Sequence, residues 1–170
     1  MANGVAETRG RTTPRARTAW VVAALVGIVA IDQLTKAWAV SALADGPKHV
    51  IGDFLVFDLS RNSGSAFSRF QGYTPVLAVL AIVIAVFVAR ALRQTTDRWT
   101  LVALVLVLGG ALGNLADRLA RSPGFLRGHV VDFVAVGWYP VFNFADSCIT
   151  IGAILLIVRT LFAPTATPGQ

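Results

Sequence analysis

Gly109–Ser147 reads GGALGNLADRLARSPGFLRGHVVDFVAVGWYPVFNFADS, and this stretch decides what kind of chain this is. Asn114, Asp117, Arg118, Asp132, Asn143 and Asp146 lie within it, flanked on both sides by long apolar runs. Ionisable groups at membrane depth are costly, so a chain that keeps them there marks a functional site by default. Two of the carboxylates stand apart. Val131-Asp132-Phe133 and Ala145-Asp146-Ser147 offer no cation next in sequence, whereas Asp117 has Arg118 beside it to hold it ionised.

Outward from this stretch the chain stays apolar. Of 170 residues, 55% are hydrophobic and 14% charged, with a mean hydropathy of +0.67. Soluble domains carry about a quarter charged residues, so the composition is that of the membrane class. A span takes roughly 20 apolar residues, which leaves room for about four with modest loops. The net charge of +6 does not point to nucleic acid, because the cations gather at the ends of apolar runs, where orientation signals sit. Cys148, the one cysteine, lies inside an apolar run and reads as a small core residue.

In chain order, residues 1–18 are polar and Arg-rich and read as a disordered cytoplasmic tail. The first span, about 19–38, begins like a secretory signal peptide. Asp32 and Lys36 argue against that reading, since they fall where such a segment is neutral. They are also one helical turn apart and can pair. Residues 41–72 form an outer region in which Leu55, Phe57 and Leu59 alternate with Val56, Asp58 and Ser60, the period of a strand. This predicts a small β element at the bilayer surface, with an ordinary loop as the alternative. Further spans are expected at about 74–92, 99–119 and 139–162, the third with Gly109, Gly110 and Gly113 for close helix approach. Arg121–Gly137 reads as a second outer loop and 163–170 as a short cytoplasmic tail.

Arg9, Arg11, Arg15 and Arg17 in the tail and Arg90, Arg93 and Arg98 in the middle loop place both termini in the cytoplasm. Trp20 and Trp99 then mark the inner interface, Trp38 and Trp138 the outer one. In that topology Asp32, Lys36, Asn62, Asn114, Asp117, Arg118, Asp132, Asn143 and Asp146 all arrive at the outer leaflet. Two carboxylates in a low-dielectric site cannot both ionise cheaply, so one holds a proton while the other is charged. Such a pair can activate water and protonate a leaving amine without metal or covalent intermediate. Other readings of the same residues are structural ion pairs with asparagine glue, a metal site from His129, Asp132 and Asp146, and a Ser147–Lys36 nucleophile. At the level of function, a proton-coupled transporter and a non-catalytic scaffold compete. Transporters usually carry midplane sites and internal repeats, and this chain has polar groups at one end and no repeat.

The sequence resembles the lipoprotein signal peptidases (signal peptidase II), bacterial inner-membrane aspartyl proteases. Matching blocks are Asp32-Gln33-Leu34-Thr35-Lys36, Arg61-Asn62-Ser63-Gly64-Ser65-Ala66-Phe67-Ser68, Gly109–Arg118, Gly128–Phe133 and Phe142–Ser147, in the family's order. Ser65 departs from the small apolar residue expected there, and the linker through Ser122-Pro123-Gly124-Phe125 is somewhat long. The resemblance implies an all-α membrane protein of four transmembrane helices with a small extracytoplasmic β element. It implies an endopeptidase that removes the signal peptide of diacylglyceryl-modified prolipoproteins, cutting before the lipidated cysteine. Asp132 and Asp146 map onto the catalytic pair. Asp32, Lys36, Asn62, Gly64, Asn114, Asp117, Arg118 and Asn143 map onto supporting and substrate-binding positions. No metal or cofactor is implied. The expected partners are the lipidated substrate, membrane lipid and globomycin-type cyclic peptide inhibitors, with the chain acting as a monomer and the site near the outer face.

Overall fold

The computed structural model describes residues 14–64 and 74–162. Most of the expected N-terminal tail, Ser65–Ser68 of the second block and the C-terminal tail lie outside these residues. Four helices carry the fold: α1 (Pro14–Ala42), α2 (Thr74–Gln94), α3 (Arg98–Ala120) and α4 (Phe144–Leu161). Each is long and apolar enough to cross a membrane. Four strands, β1 (Lys48–Ile51), β2 (Leu55–Asn62), β3 (Val130–Val136) and β4 (Tyr139–Phe142), form one antiparallel sheet in sequence order. The sheet therefore joins the link between α1 and α2 to the link between α3 and α4.

Helix α3 is the centre of the bundle and packs against α1, α2 and α4. Its glycines set those distances. A Cβ on Gly110 would fall on the backbone carbonyl oxygen of Ala145, and one on Gly113 would lie 2.6 Å from Asp32 Oδ2. Lipid tails are as apolar as leucine, so the helices gain little by hiding apolar faces, and close packing at small residues holds them together. Gly110→Ala gains up to about 1 kcal/mol of helix propensity. The clash is with backbone that cannot rotate away, and overpacking of that kind costs about 1–3 kcal/mol. The variant is expected to melt below the wild-type chain in detergent; an unchanged melting temperature would refute the packing argument.

The far end of the bundle is tied by charge. Arg17 Nη2 donates to Leu92 O (2.8 Å) and Thr95 O (2.6 Å), answering carbonyls left open at the end of α2. Asp97 caps α3 and receives Arg159 of α4 at 2.9 Å.

At the other end, the sheet docks on α1. Phe57, Val131 and Phe133 pack with Ala39 and Leu43, and Trp38 meets Phe57 and Phe133 edge-on at 5.4 and 6.0 Å. Alternation along β3 then turns Asp132 away from that apolar face. The strand expected at Leu55–Leu59 is present and longer. Several boundaries differ from expectation. The run VVDFVAV is a strand rather than loop, because β2 supplies its hydrogen-bonding partner, pairing Ser60 with Asp132 and Arg61 with Val131. The fourth span starts at Phe144, not 139, since Tyr139–Phe142 is strand β4. Pro140 lacks an N–H and disfavours helix at the residue before it, and Asn143 provides the cap from which the helix can start. Helix α1 runs past both of its expected ends, beginning at Pro14 within the stretch read as tail.

Candidate active site

Asp32, Lys36, Asp117 and Asn143 are fully buried, and Asp132 is 3% exposed. Lys36 is at the centre of this polar cluster. Its ammonium has three donors, and they meet Asp32 Oδ2 at 2.8 Å, Asp117 Oδ2 at 2.9 Å and Asn114 Oδ1 at 2.9 Å. An i,i+4 spacing puts Lys36 over Asp32 on α1, as the sequence suggests. Each carboxylate it touches reaches on to another element. Asp32 Oδ1 accepts from the backbone N–H of Ala145 at 3.1 Å, binding α1 to the first turn of α4. Asp117 Oδ2 accepts from the backbone N–H of Val131 at 3.2 Å, fixing β3 one residue from Asp132.

Asp132 and Asp146 are gathered by asparagines. Asn143 Nδ2 donates to Asp132 Oδ1 at 2.6 Å, while the Asn143 backbone N–H donates to Asp146 Oδ2 at 3.2 Å. The second contact is half of a capping box, the other half being Asp146 N–H to Asn143 Oδ1. The i,i+3 spacing of Asn143 and Asp146 thus both starts helix α4 and brings two carboxylates together. Asn62 Nδ2 donates to Asp132 Oδ2 at 2.9 Å, and Asn114 Nδ2 to Asp146 Oδ1 at 2.7 Å. Gly64, at φ +88°, turns its N–H back onto Asn62 Oδ1 at 2.7 Å, which leaves the amide NH2 of Asn62 facing Asp132. A positive φ of this kind favours glycine.

Burial pushes the Asp132 carboxyl up to about 6. The amides of Asn62 and Asn143 restrain that rise by donating to the charged form, and the neighbouring Asp146 charge adds to it.

All ten residues singled out from the sequence come to this one end of the bundle, but one pairing differs. Arg118 does not hold Asp117. Consecutive helical residues point in different directions, and Asp117 is instead met by Lys36 and by Arg121, whose Nε lies 2.6 Å from Asp117 Oδ1. Arg118 donates to the Asn114 carbonyl at 3.4 Å and lies within electrostatic reach of Asp132, Asp146 and Asp117 without an ion pair to any of them among the described residues. Its Nε is buried with no hydrogen-bond partner among the described residues. The Ser147–Lys36 alternative has no geometry behind it, since Lys36 is enclosed and Ser147 Oγ donates to Asn143 O. Among the described residues no group of three or more His, Cys, Asp or Glu is placed to hold a metal ion.

A sequence model described as signal peptidase (SPase) II matches residues 24–162, most of the chain. The chain belongs to the signal peptidase II family. The lipoprotein signal peptidase of Mycobacterium avium (strain 104) is 45% identical over 161 residues, covering 92% of this chain and 88% of that one. That of Rhodococcus jostii (strain RHA1) is 48% identical over 160 residues, covering 94% and 80%. A solved structure described as a bacterial membrane enzyme, obtained by the in meso method, superposes with a TM-score of 0.75 at 28% identity, over 89% of this chain and 95% of that one. The signal peptidase II assignment makes the chain a multi-pass membrane protease of lipoprotein processing.

Two residues of this signal peptidase site were not singled out from the sequence. Gln33 Nε2 donates to Asp32 Oδ2 at 3.1 Å, to Asp117 Oδ1 at 3.1 Å and to Gly113 O at 3.2 Å, so it bridges α1 and α3. Its place beside Asp32 was visible, its role was not. Arg121 was legible in principle, being four residues after Asp117 on one helix.

Proposed function

We propose that Asp132 and Asp146 form an aspartyl pair that hydrolyses the peptide bond before a diacylglyceryl-modified cysteine. The observation that carries this reading is that Asn143 touches both carboxylates while neither has a cation at ion-pair distance among the described residues. The three buried charges beside them, Asp32, Lys36 and Asp117, are paired with one another and hydrogen-bonded by their neighbours, and serve as frame.

In the proposed cycle Asp132 holds the proton, in keeping with its burial. The Asp146 carboxylate takes a proton from water, and the resulting hydroxide adds to the scissile carbonyl carbon. Asp132 gives its proton to the carbonyl oxygen, leaving a gem-diol. Collapse of the diol breaks the C–N bond: one diol hydroxyl returns its proton to Asp132 as the carboxylic acid forms, and the proton held on Asp146 passes to the leaving cysteine nitrogen. Asn62, Asn114 and Asn143 keep both carboxyls in place. Both termini lie in the cytoplasm on this reading and the site faces the outer leaflet, supported by the arginines at the opposite end of the bundle. Cyclic peptides of the globomycin type would fill the same cleft, and one chain suffices for the chemistry.

The test is purified protein with a precursor bearing the diacylglyceryl group and with the same precursor unmodified. Only the lipidated form should be cut, immediately before the cysteine and in the presence of a metal chelator. Loss of cleavage on chelation, or equal cleavage of both precursors, would overturn the reading.

The pH profile follows from Asp132. The pair titrates as a unit, and above about 6 the free enzyme loses the proton it must donate. The quantity kcat/KM, which reports the free enzyme, is therefore expected to bend downward near that pH. Bound substrate excludes more water, so kcat should bend at higher pH. Asn62→Ala removes a donor that favours charged Asp132, so it should move the bend upward. A downward movement would contradict the assignment.

A further inference from the structure

A cavity of about 390 Å³ lies between α1 and α2, at the end of the bundle far from the carboxylates. Its mouth carries two guanidinium groups, Arg17 near the start of α1 and Arg93 in the last turn of α2. Its depth is apolar, lined by Val21, Val22 and Leu25 of α1, Ala89 of α2 and Leu108 of α3. From Arg17 to Leu25 the helix rises about 12 Å, so the cavity runs from a charged mouth into the apolar depth of the bundle. Val22 is 53% exposed, and the cavity therefore also opens sideways to lipid. Neither cation has a carboxylate at ion-pair distance among the described residues. Arg17 spends Nη2 on two neutral carbonyls, Leu92 O and Thr95 O. Its Nε and Nη1 donors have no partner among the described residues, and neither has the exposed Arg93. Asp97, the next acid along the chain, is already taken by Arg159 and by the N–H of Thr100. None of this serves the carboxylate pair or its frame.

We propose that this cavity holds one anionic phospholipid, its phosphodiester between Arg17 and Arg93 and an acyl chain along Val22 and Leu25. The site goes beyond the aspartyl reading and does not depend on it. Three observations choose this occupant. The first is charge: two cations share one mouth without an acid, and guanidinium groups suit phosphate oxygens. The second is the apolar depth, which a free phosphate leaves unfilled and an alkyl chain fills. The third is level. Trp20 and Trp99 stand at this end of the bundle, with Arg98 lying 5.4 Å over the Trp99 ring, and aromatic residues of this kind mark the depth of lipid head groups. Basic pockets between membrane helices recognise anionic head groups in the same way. A zwitterionic lipid brings a second cation beside its phosphate, which the two arginines disfavour. The leaflet is the one at this end of the bundle, the cytoplasmic one in the orientation proposed above. A lipid held by both arginines adds a tie between α1 and α2 to the one that Arg17 already makes. A ligand that binds only the folded chain raises its melting temperature.

The experiment adds phosphatidylglycerol to the purified full chain in neutral detergent, with phosphatidylcholine of the same acyl chains and glycerol 3-phosphate as the other arms. Native mass spectrometry reads the complexes, and thermal unfolding reads the stabilisation. Phosphatidylglycerol is expected to form a one-to-one complex that outlasts the phosphatidylcholine one on activation, and to raise the melting temperature. Glycerol 3-phosphate should do neither. Arg93→Gln removes a cation that has no protein partner, and should weaken the complex about fivefold, the worth of one cation beside anionic lipid. Val22→Trp fills the cavity and should abolish the complex. Val26→Trp, one turn further along α1 and outside the cavity, should bind as the wild type does. Melting temperatures without lipid show that each variant is folded. Equal retention of the two lipids, an undiminished complex in Val22→Trp, or wild-type affinity in Arg93→Gln would overturn the site and leave only a belt of surrounding lipid. Equal stabilisation by glycerol 3-phosphate would refute a lipid site in favour of a simple anion site. None of these measurements uses precursor cleavage, so the aspartyl pair stands or falls on its own test.

Discussion

Asp132→Asn and, separately, Asp146→Asn should each leave a folded protein that no longer processes a lipidated precursor. The expected loss is about 10²–10⁴-fold for each, the span that positioned acid–base groups contribute. An asparagine at either position keeps the side-chain shape but lacks the proton exchange the cycle needs. At 132 it retains one carbonyl oxygen to accept from Asn143 or Asn62; at 146 it retains one to accept from Asn114. Fold is therefore not expected to suffer, and melting temperature provides the check. The double variant should be about as inactive as either single one, because groups that act as a unit do not add. Precursor cleavage at wild-type rate by either single variant, followed on a gel, would remove the pair from the mechanism.

Lys36→Met is expected to have the largest effect on stability. Its ammonium is the cation within ion-pair distance of Asp32, and it also meets Asp117, with all side chains fully buried. Removing one member of a buried ion cluster leaves uncompensated charge and costs about 3–5 kcal/mol. Adding Asp32→Asn to Lys36→Met should recover part of that loss, because it removes the stranded charge; buried neighbours couple strongly in this way. Arg121→Gln should cost less, since the Arg121 side chain is 27% exposed and Lys36 still serves Asp117. Unfolding in detergent micelles measures all three. A Lys36→Met chain as stable as the wild type would show that the cluster is not the frame described above.

The frame explains how far a one-dimensional reading reaches. Asp32 and Lys36 could be paired from spacing alone, because i and i+4 face one side of a helix. The same geometry makes adjacency misleading: Arg118 next to Asp117 in sequence is directed elsewhere on the helix, and Asp117 is met by Lys36 from α1. Asp132 was legible as an isolated carboxylate in an apolar run, but its strand was not, because a strand is defined by the partner it pairs with. That partner, β2, is about 70 residues away, with Asp132 opposite Ser60.

Composition, run length and the cations at the run ends were enough to determine a four-span membrane chain, and the spacing of its polar residues was enough to nominate the site. These properties are local, set by transfer free energy and helical period. Tertiary structure decided which amide holds which carboxylate, that Lys36 and Arg121 rather than Arg118 meet Asp117, and that the last span begins only after a strand. Such arrangements depend on glycine-spaced contacts between helices and on strand pairing across long loops, and neither has a period along the chain from which to read it.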